Sequence, residues 1–406
     1  MKMIETWRWY GPGDPVSLWD IRQAGATGIV TALHEIPIGE VWPLAMLIER
    51  KRIIEWDDST HQPRATGLEW LVVESVPLHE SIKLGKPERN LYIENYKHTL
   101  RNLGAIGIKT VVYNFMPVVD WTRTNLDMEL EDRAKALSFD MEEFVAFDVF
   151  ILNRKNASMD YPQELVERAF TKYKSLSHAQ RKTLQQNIIA GLPGAQEGYS
   201  LEAFKKKLAD YQAMTNESYF ENLKYFLQQV IPVAEDNGIK MAIHPDDPPG
   251  SLFGLPRIAG TFSDFVKILS TVDSPSNGFT LCTGSLGVSA SNNLVEFVEK
   301  LGHRIFFAHL RSVQRLAHGS FYEAGHLRGN VDMYGVVNAI LKEQHRRNAL
   351  HQHDCRIPMR ADHGHVILDD QKKITNPGYS AIGLLKGMAE LRGLELGILK
   401  SQLQTI

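Results

Sequence analysis

Eight short apolar runs, rich in β-branched residues, recur along the chain with amphipathic stretches between them. They are Ile4–Trp9, Gly28–Leu33, Trp70–Val76, Ile108–Phe115, Lys240–His244, Phe279–Cys282, Ile305–Leu310 and Ile357–Asp362. Near-continuous apolarity over so few residues marks strands covered on both faces, as in a parallel sheet. The intervening stretches read as helices. Asp14-Pro15 offers an N-cap and a first-turn proline for a helix through Ala24 that stops at Gly25. Thr261 or Ser263 caps one through Leu269. Phe220, Leu223, Leu227, Val230, Ile231 and Ala234 repeat at helical spacing before Asn237-Gly238. Val336, Val337, Ile340 and Leu341 mark another helix, and Ala381–Leu394 the last.

Eight strands alternating with helices predict an α/β fold, a (β/α)8 TIM barrel, with residues 1–406 as one barrel domain. A doubly wound sheet is the alternative, and it would need a glycine-rich phosphate loop after a strand. No GxGxxG or GxxxxGK[ST] occurs, and Gly191-Leu192-Pro193-Gly194 lacks the lysine. Residues 120–216 are too many for a βα connection. Their polar, charged stretches (Leu130–Leu137, Pro162–Leu176, Leu201–Met214) predict a helical insertion after strand four. That junction lies on the catalytic face of a barrel, so the insertion is expected to cap the active site, with a separate folded domain as the competing reading. No internal repeat is visible.

Lys+Arg number 45 and Asp+Glu 48, so the net charge of −3 offers no field for nucleic acid or an anionic membrane. No apolar run is long enough for a membrane span, and Met1–Arg8 lacks the apolar core of a signal peptide. Two cysteines, Cys282 and Cys355, exclude a disulfide scaffold and point to the reducing cytoplasm.

The chemistry gathers at strand ends. His244 ends strand five, Cys282 strand six, His309 nearly ends strand seven, and Asp362 ends strand eight. Adjacent parallel strands lie about 4.8 Å apart, so four successive strands can bring these side chains to one ion. Two imidazoles, a thiolate and a carboxylate suit Mn²⁺, Fe²⁺ or Zn²⁺ better than Ca²⁺ or Mg²⁺. Taken singly, each has a plainer reading as a core residue. His351-Gln352-His353-Asp354-Cys355 looks richer but falls between a helix and a strand, on the opposite face. His34-Glu35 and His79-Glu80 are not HExxH, and Thr283-Gly284-Ser285-Leu286-Gly287 is not a nucleophile elbow. His363 follows Asp362 directly. Arg311, two residues past His309 on the same side of the strand, could grip a carboxylate or form a rim salt bridge. Tyr379 lies in the loop after strand eight, and His34 ends strand two, facing the same pocket.

At these residues the sequence resembles the mannonate dehydratase family, nearly end to end. The segments that carry the likeness are Glu5–Pro12, Val30–His34, His244-Pro245-Asp246-Asp247-Pro248-Pro249, Leu281–Ser285, His309-Leu310-Arg311 and Arg360–Gly364. His365 departs from the arginine of other members. The resemblance implies a barrel of the xylose-isomerase-like kind, Mn²⁺ or Fe²⁺ on His244, Cys282, His309 and Asp362, and an acid/base pair in His363 and Tyr379. Arg311 and His34 are the expected substrate contacts. The implied substrate is a small sugar acid, D-mannonate, losing water to give 2-dehydro-3-deoxy-D-gluconate in hexuronate (glucuronate) catabolism. No nucleic-acid or membrane partner is expected, and the chain is expected to form a homo-oligomer, a dimer. A metal-dependent sugar isomerase or epimerase is the alternative, and a non-catalytic sugar-acid-binding barrel a further one.

Overall fold

A computed structural model describes residues 1–58, 62–190 and 200–403, so Gly191–Gly194 lie outside the described residues. The strands in chain order are β1 Ile4–Arg8, β2 Gly28–Thr31, β3 Trp56–Asp57, β4 Arg64–Ala65, β5 Glu69–Glu74, β6 Thr110–Tyr113 and β7 Asn125–Glu129. Then come β8 Lys135–Phe139, β9 Lys240–Ile243, β10 Asn277–Cys282, β11 Ile305–Leu310, β12 Ser312–Arg315, β13 Phe321–Ala324 and β14 Pro358–Ala361. Eight of them close a parallel barrel in the order β1-β2-β5-β6-β9-β10-β11-β14. All eight apolar runs supply these strands, because helices cover the outside and side chains fill the inside.

Two layers of core follow from the alternation along each strand. Ile29, Val73, Val111 and Met241 pack with the outer helices. Val30, Val72, Val112, Ala242 and Phe307 form a separate buried cluster that fills the barrel. Two positions on from four of these lie Glu74, Asn114, His244 and His309. The period of two therefore puts those polar side chains on the same inward face, nearer the C-terminal rim.

Helix ends correct the sequence reading in places. The first helix is Leu18–Gln23 and its N-cap is Ser17, paired with Asp20 in a capping box. Asp14 instead accepts from the backbone N–H groups of Tyr10 (2.7 Å) and Val16 (2.9 Å), holding a turn ahead of the helix. Thr261 caps Phe262–Leu269 as expected. The last helix, Ala381–Leu403, outruns its expected end.

Residues 120–216 are not purely helical. Gln163–Ser175, His178–Ala190 and Leu201–Asp210 are helices, but 130–137 is not. Leu130, Ala134 and Leu137 mimic helical spacing, while the backbone turns at Arg133 (φ 62°) and pairs β7 with β8 antiparallel. That hairpin joins the β12–β13 hairpin in one four-stranded sheet, with Phe321 opposite Phe139.

Candidate active site

Strand register assembles the centre. Cys282 on β10 is the Cα partner of His309 on β11, and His309 is the partner of Arg360 on β14. His244 follows β9 immediately, its N–H held by the Tyr113 carbonyl at 2.9 Å. One ligand atom from each of His244, Cys282 and His309 lies within 4.8 Å of the others, and this is the metal-type group found among the described residues.

The tautomers suit an ion. His244 Nδ1 is 2.7 Å from the Pro245 carbonyl, so it carries the proton and leaves Nε2 free to coordinate. His309 Nε2 faces Glu74 at 3.4 Å, which turns Nδ1 inward. The two inward nitrogens are 3.2 Å apart. Donors about 2.1 Å from one ion and at right angles to each other sit about 3 Å apart, so the spacing fits a shared cation. Asp362 stands beside the trio, its Oδ2 3.8 Å from His309 Nδ1.

The charges agree. Burial pushes the Cys282 thiol up, but Arg311, His244 and His309 outweigh it and hold it well below the ordinary thiol value. Burial opposes the imidazolium of His244, yet the Cys282 thiolate, Glu74 and Asp247 raise its pKa. Around them, Glu74, Asp247, Glu323 and Asp362 are matched one for one by Arg8, Arg123, Arg311 and Arg360, all buried. Cys282 is left outside these four pairs, and its lowered pKa suits it to a cation.

A cleft opens beside this group, lined among others by Arg8, Tyr10, Glu74, Asn114, Trp121, Arg360, Asp362, His363 and Tyr379. His363 holds a left-handed backbone (φ 49°), and its ring lies over Gly378, where an added Cβ would come within 3.0 Å of Cδ2. Its Nδ1 is 3.1 Å from Glu323 Oε1. Tyr379 donates to Asp362 Oδ1 at 3.2 Å. Burial, partly countered by Arg360, pushes its hydroxyl up to about 12, so it keeps its proton at neutral pH.

Two expected substrate contacts fall elsewhere. Arg311 is 1 % exposed, and its guanidinium faces protein groups on every side: the terminal nitrogens meet Asp247, Glu323 and Ser285, and Nε lies 3.3 Å from Asp362 Oδ2. Gly284 makes room for it, since a Cβ there would run into the Arg311 side chain. His34 sits one ring behind the cleft, stacked on Tyr10 at 6.1 Å. Burial and the charges of Arg8 and Arg50 lower its pKa to about 3.

Sequence reasoning missed Glu74, Arg8 and Arg360, although a charge inside an apolar strand run is itself a signal. Arg123 and Glu323 gave none, because they come from the 120–216 segment and a hairpin. The 351–355 loop is mostly exposed, lies at the opposite rim, and forms no metal-type group among the described residues.

Comparison with known proteins decides the family. The model of the D-mannonate dehydratase (UxuA) family matches residues 1–405. The chain belongs to the D-mannonate dehydratase family. It is 52% identical over 397 residues to a mannonate dehydratase of Marinomonas sp. (strain MWYL1), covering 98% of this chain and 99% of that one. A mannonate dehydratase of Saccharophagus degradans is 48% identical over 393 residues, 97% of each chain. Among solved structures, the mannonate dehydratase from Streptococcus suis serotype2 superposes with a TM-score of 0.75 at 34% identity, covering 99% of this chain and 95% of that one. As a family member, the chain combines the barrel with a His/Cys/His candidate metal site.

Proposed function

We propose that this chain is a metal-dependent hydro-lyase that removes water from D-mannonate to give 2-dehydro-3-deoxy-D-gluconate, in hexuronate breakdown in the cytoplasm. The observation that carries the reading is one cleft in which His363 and Tyr379 stand beside Asp362 and the His244–Cys282–His309 group. Family membership favours dehydration over the isomerase reading.

His244, Cys282, His309 and Asp362 would hold the ion; their mixed nitrogen, sulfur and oxygen donors suit Mn²⁺, Fe²⁺ or Zn²⁺, and the resemblance to the family selects Mn²⁺ or Fe²⁺. Such an ion supplies Lewis-acid stabilisation of negative charge developing on substrate oxygens. The protein's own groups do the rest. The C2 proton is weakly acidic, so a base must be aimed at it. His363 suits that role, because Glu323 Oε1 at its Nδ1 fixes the ring and turns Nε2 into the cleft beside Asp362, 3.8 Å away. Tyr379, kept protonated, suits the acid that meets the departing C3 hydroxyl. Arg8, which lines the cleft beside its Glu74 partner, takes over the carboxylate contact expected of Arg311, because both terminal nitrogens of Arg360 are held by Glu74 and Asp362. The 120–216 segment covers the cleft with Trp121, whose ring stands 5.8 Å from that of His363, and excludes water.

Exchange of the substrate C2 hydrogen with solvent separates the two roles. His363→Asn is expected to lose both exchange and turnover by about 10²–10⁴-fold. Tyr379→Phe should lose turnover while still exchanging the hydrogen. Unchanged turnover in His363→Asn would overturn the assignment.

A further inference from the structure

We propose that Arg123, carried by the 120–216 segment, is a positioning residue for the reaction: it fixes Glu323, and through Glu323 the imidazole of His363. This rests on the reading of His363 as the base.

Arg123 is fully buried, yet it touches no metal-type ligand and does not line the cleft. One of its terminal nitrogens donates to Asp247 Oδ1 at 2.9 Å and the other to Glu323 Oε1 at 2.7 Å. Arg311 bridges the same two carboxylates from the other side. Two guanidiniums and two carboxylates therefore close a ring, all four at most 2 % exposed. The Arg123 guanidinium is clamped between the rings of Trp121 and Phe321, each 4.8 Å from its central carbon.

The ring has two outlets. Glu323 Oε1 also meets His363 Nδ1 at 3.1 Å. Asp247 Oδ2 accepts from Ser285 Oγ at 3.0 Å, and that hydroxyl lies 3.1 Å from Cys282 Sγ. Asp247 keeps Arg311 and Ser285 if Arg123 is lost. Glu323 keeps only Arg311, on an oxygen it shares with His363, while its Oε2 has no hydrogen-bond partner. The His363 outlet is thus the one that depends on Arg123. A lysine there supplies one point charge and cannot bridge two carboxylates in the plane of a fork. A role in the fold alone would lower stability without acting through His363.

The test compares Arg123→Lys and Glu323→Gln in the native and the His363→Asn backgrounds, each loaded with Mn²⁺. In the native background both should lower kcat at least about tenfold, with KM within about threefold and bound Mn²⁺ unchanged. In the His363→Asn background neither should lower the residual rate further, because the group they position is gone. An equal fold-loss in both backgrounds, or native kcat in a folded Arg123→Lys, would overturn the proposal. If Arg123→Lys fails to fold, Glu323→Gln alone decides by the same criteria. Should His363→Asn itself turn over normally, the reading of the base fails instead, and the two failures are told apart.

Discussion

Burial decides the ionisation of two histidines. His326 is 5 % exposed, its Nε2 has no hydrogen-bond partner, and burial lowers its pKa to about 4. An unfolded chain would protonate it near the usual value of about 6.5. Between those values the unfolded state takes up a proton that the folded state refuses, so acid favours unfolding. Above about pH 6.5 the penalty is absent, and below about 4 it is fully present. His34, lowered to about 3, acts in the same direction. Stability followed by denaturant midpoint should fall from pH 7 to pH 4, by about 1 kcal/mol per pH unit for His326, and His326→Gln should flatten that slope. An unchanged slope would show that His326 is protonated in the fold. At this scale, His244, Cys282, His309 and Asp362 stand out in the sequence because each breaks an apolar run; the fold gathers the first three and sets Asp362 beside them. Arg311 misled for the same reason, since a strand-end arginine looks the same whether it faces substrate or a buried carboxylate.

Elements divide into those fixed locally and those fixed by partners. The barrel strands were legible because both faces are buried and the apolar runs are continuous. The β7–β8 hairpin was not, because its Leu130, Ala134 and Leu137 fit a helix equally well and only pairing with β13 selects the strand. Phe139 and Phe321 stack there with ring centres 5.7 Å apart, both buried. Phe139→Ala should therefore cost about 3–5 kcal/mol and lower the melting temperature. Because β13 carries Glu323, the same change should also slow turnover. A variant with native stability would mean that the hairpin is not packed as described.

The whole barrel sorts look-alike clusters by face. The C-terminal rim holds the His244–Cys282–His309 group, and the αβ loop with His351 and His353 lies at the other end of the strands. Composition alone ranked that loop higher; topology reverses the order. Cys282→Ala should weaken Mn²⁺ binding by at least about 100-fold while the fold is kept, by analogy with losses of 10–100-fold for outer contacts. The His351→Ala/His353→Ala pair should leave metal content unchanged. Bound metal per chain, measured after dialysis, checks both. The length of the 120–216 segment was visible in the sequence, but not its role as the source of Arg123, since nothing local to it announces a partner on β13.

The most direct measurement is to incubate the Mn²⁺-loaded protein with D-mannonate in deuterated water and identify the product by NMR and mass. The expected product has lost one water, is 2-dehydro-3-deoxy-D-gluconate, and carries one solvent deuteron at C3, where the enol left by elimination is protonated. A product with the formula of D-mannonate, or unchanged D-mannonate with the metal bound, would contradict dehydration at this site.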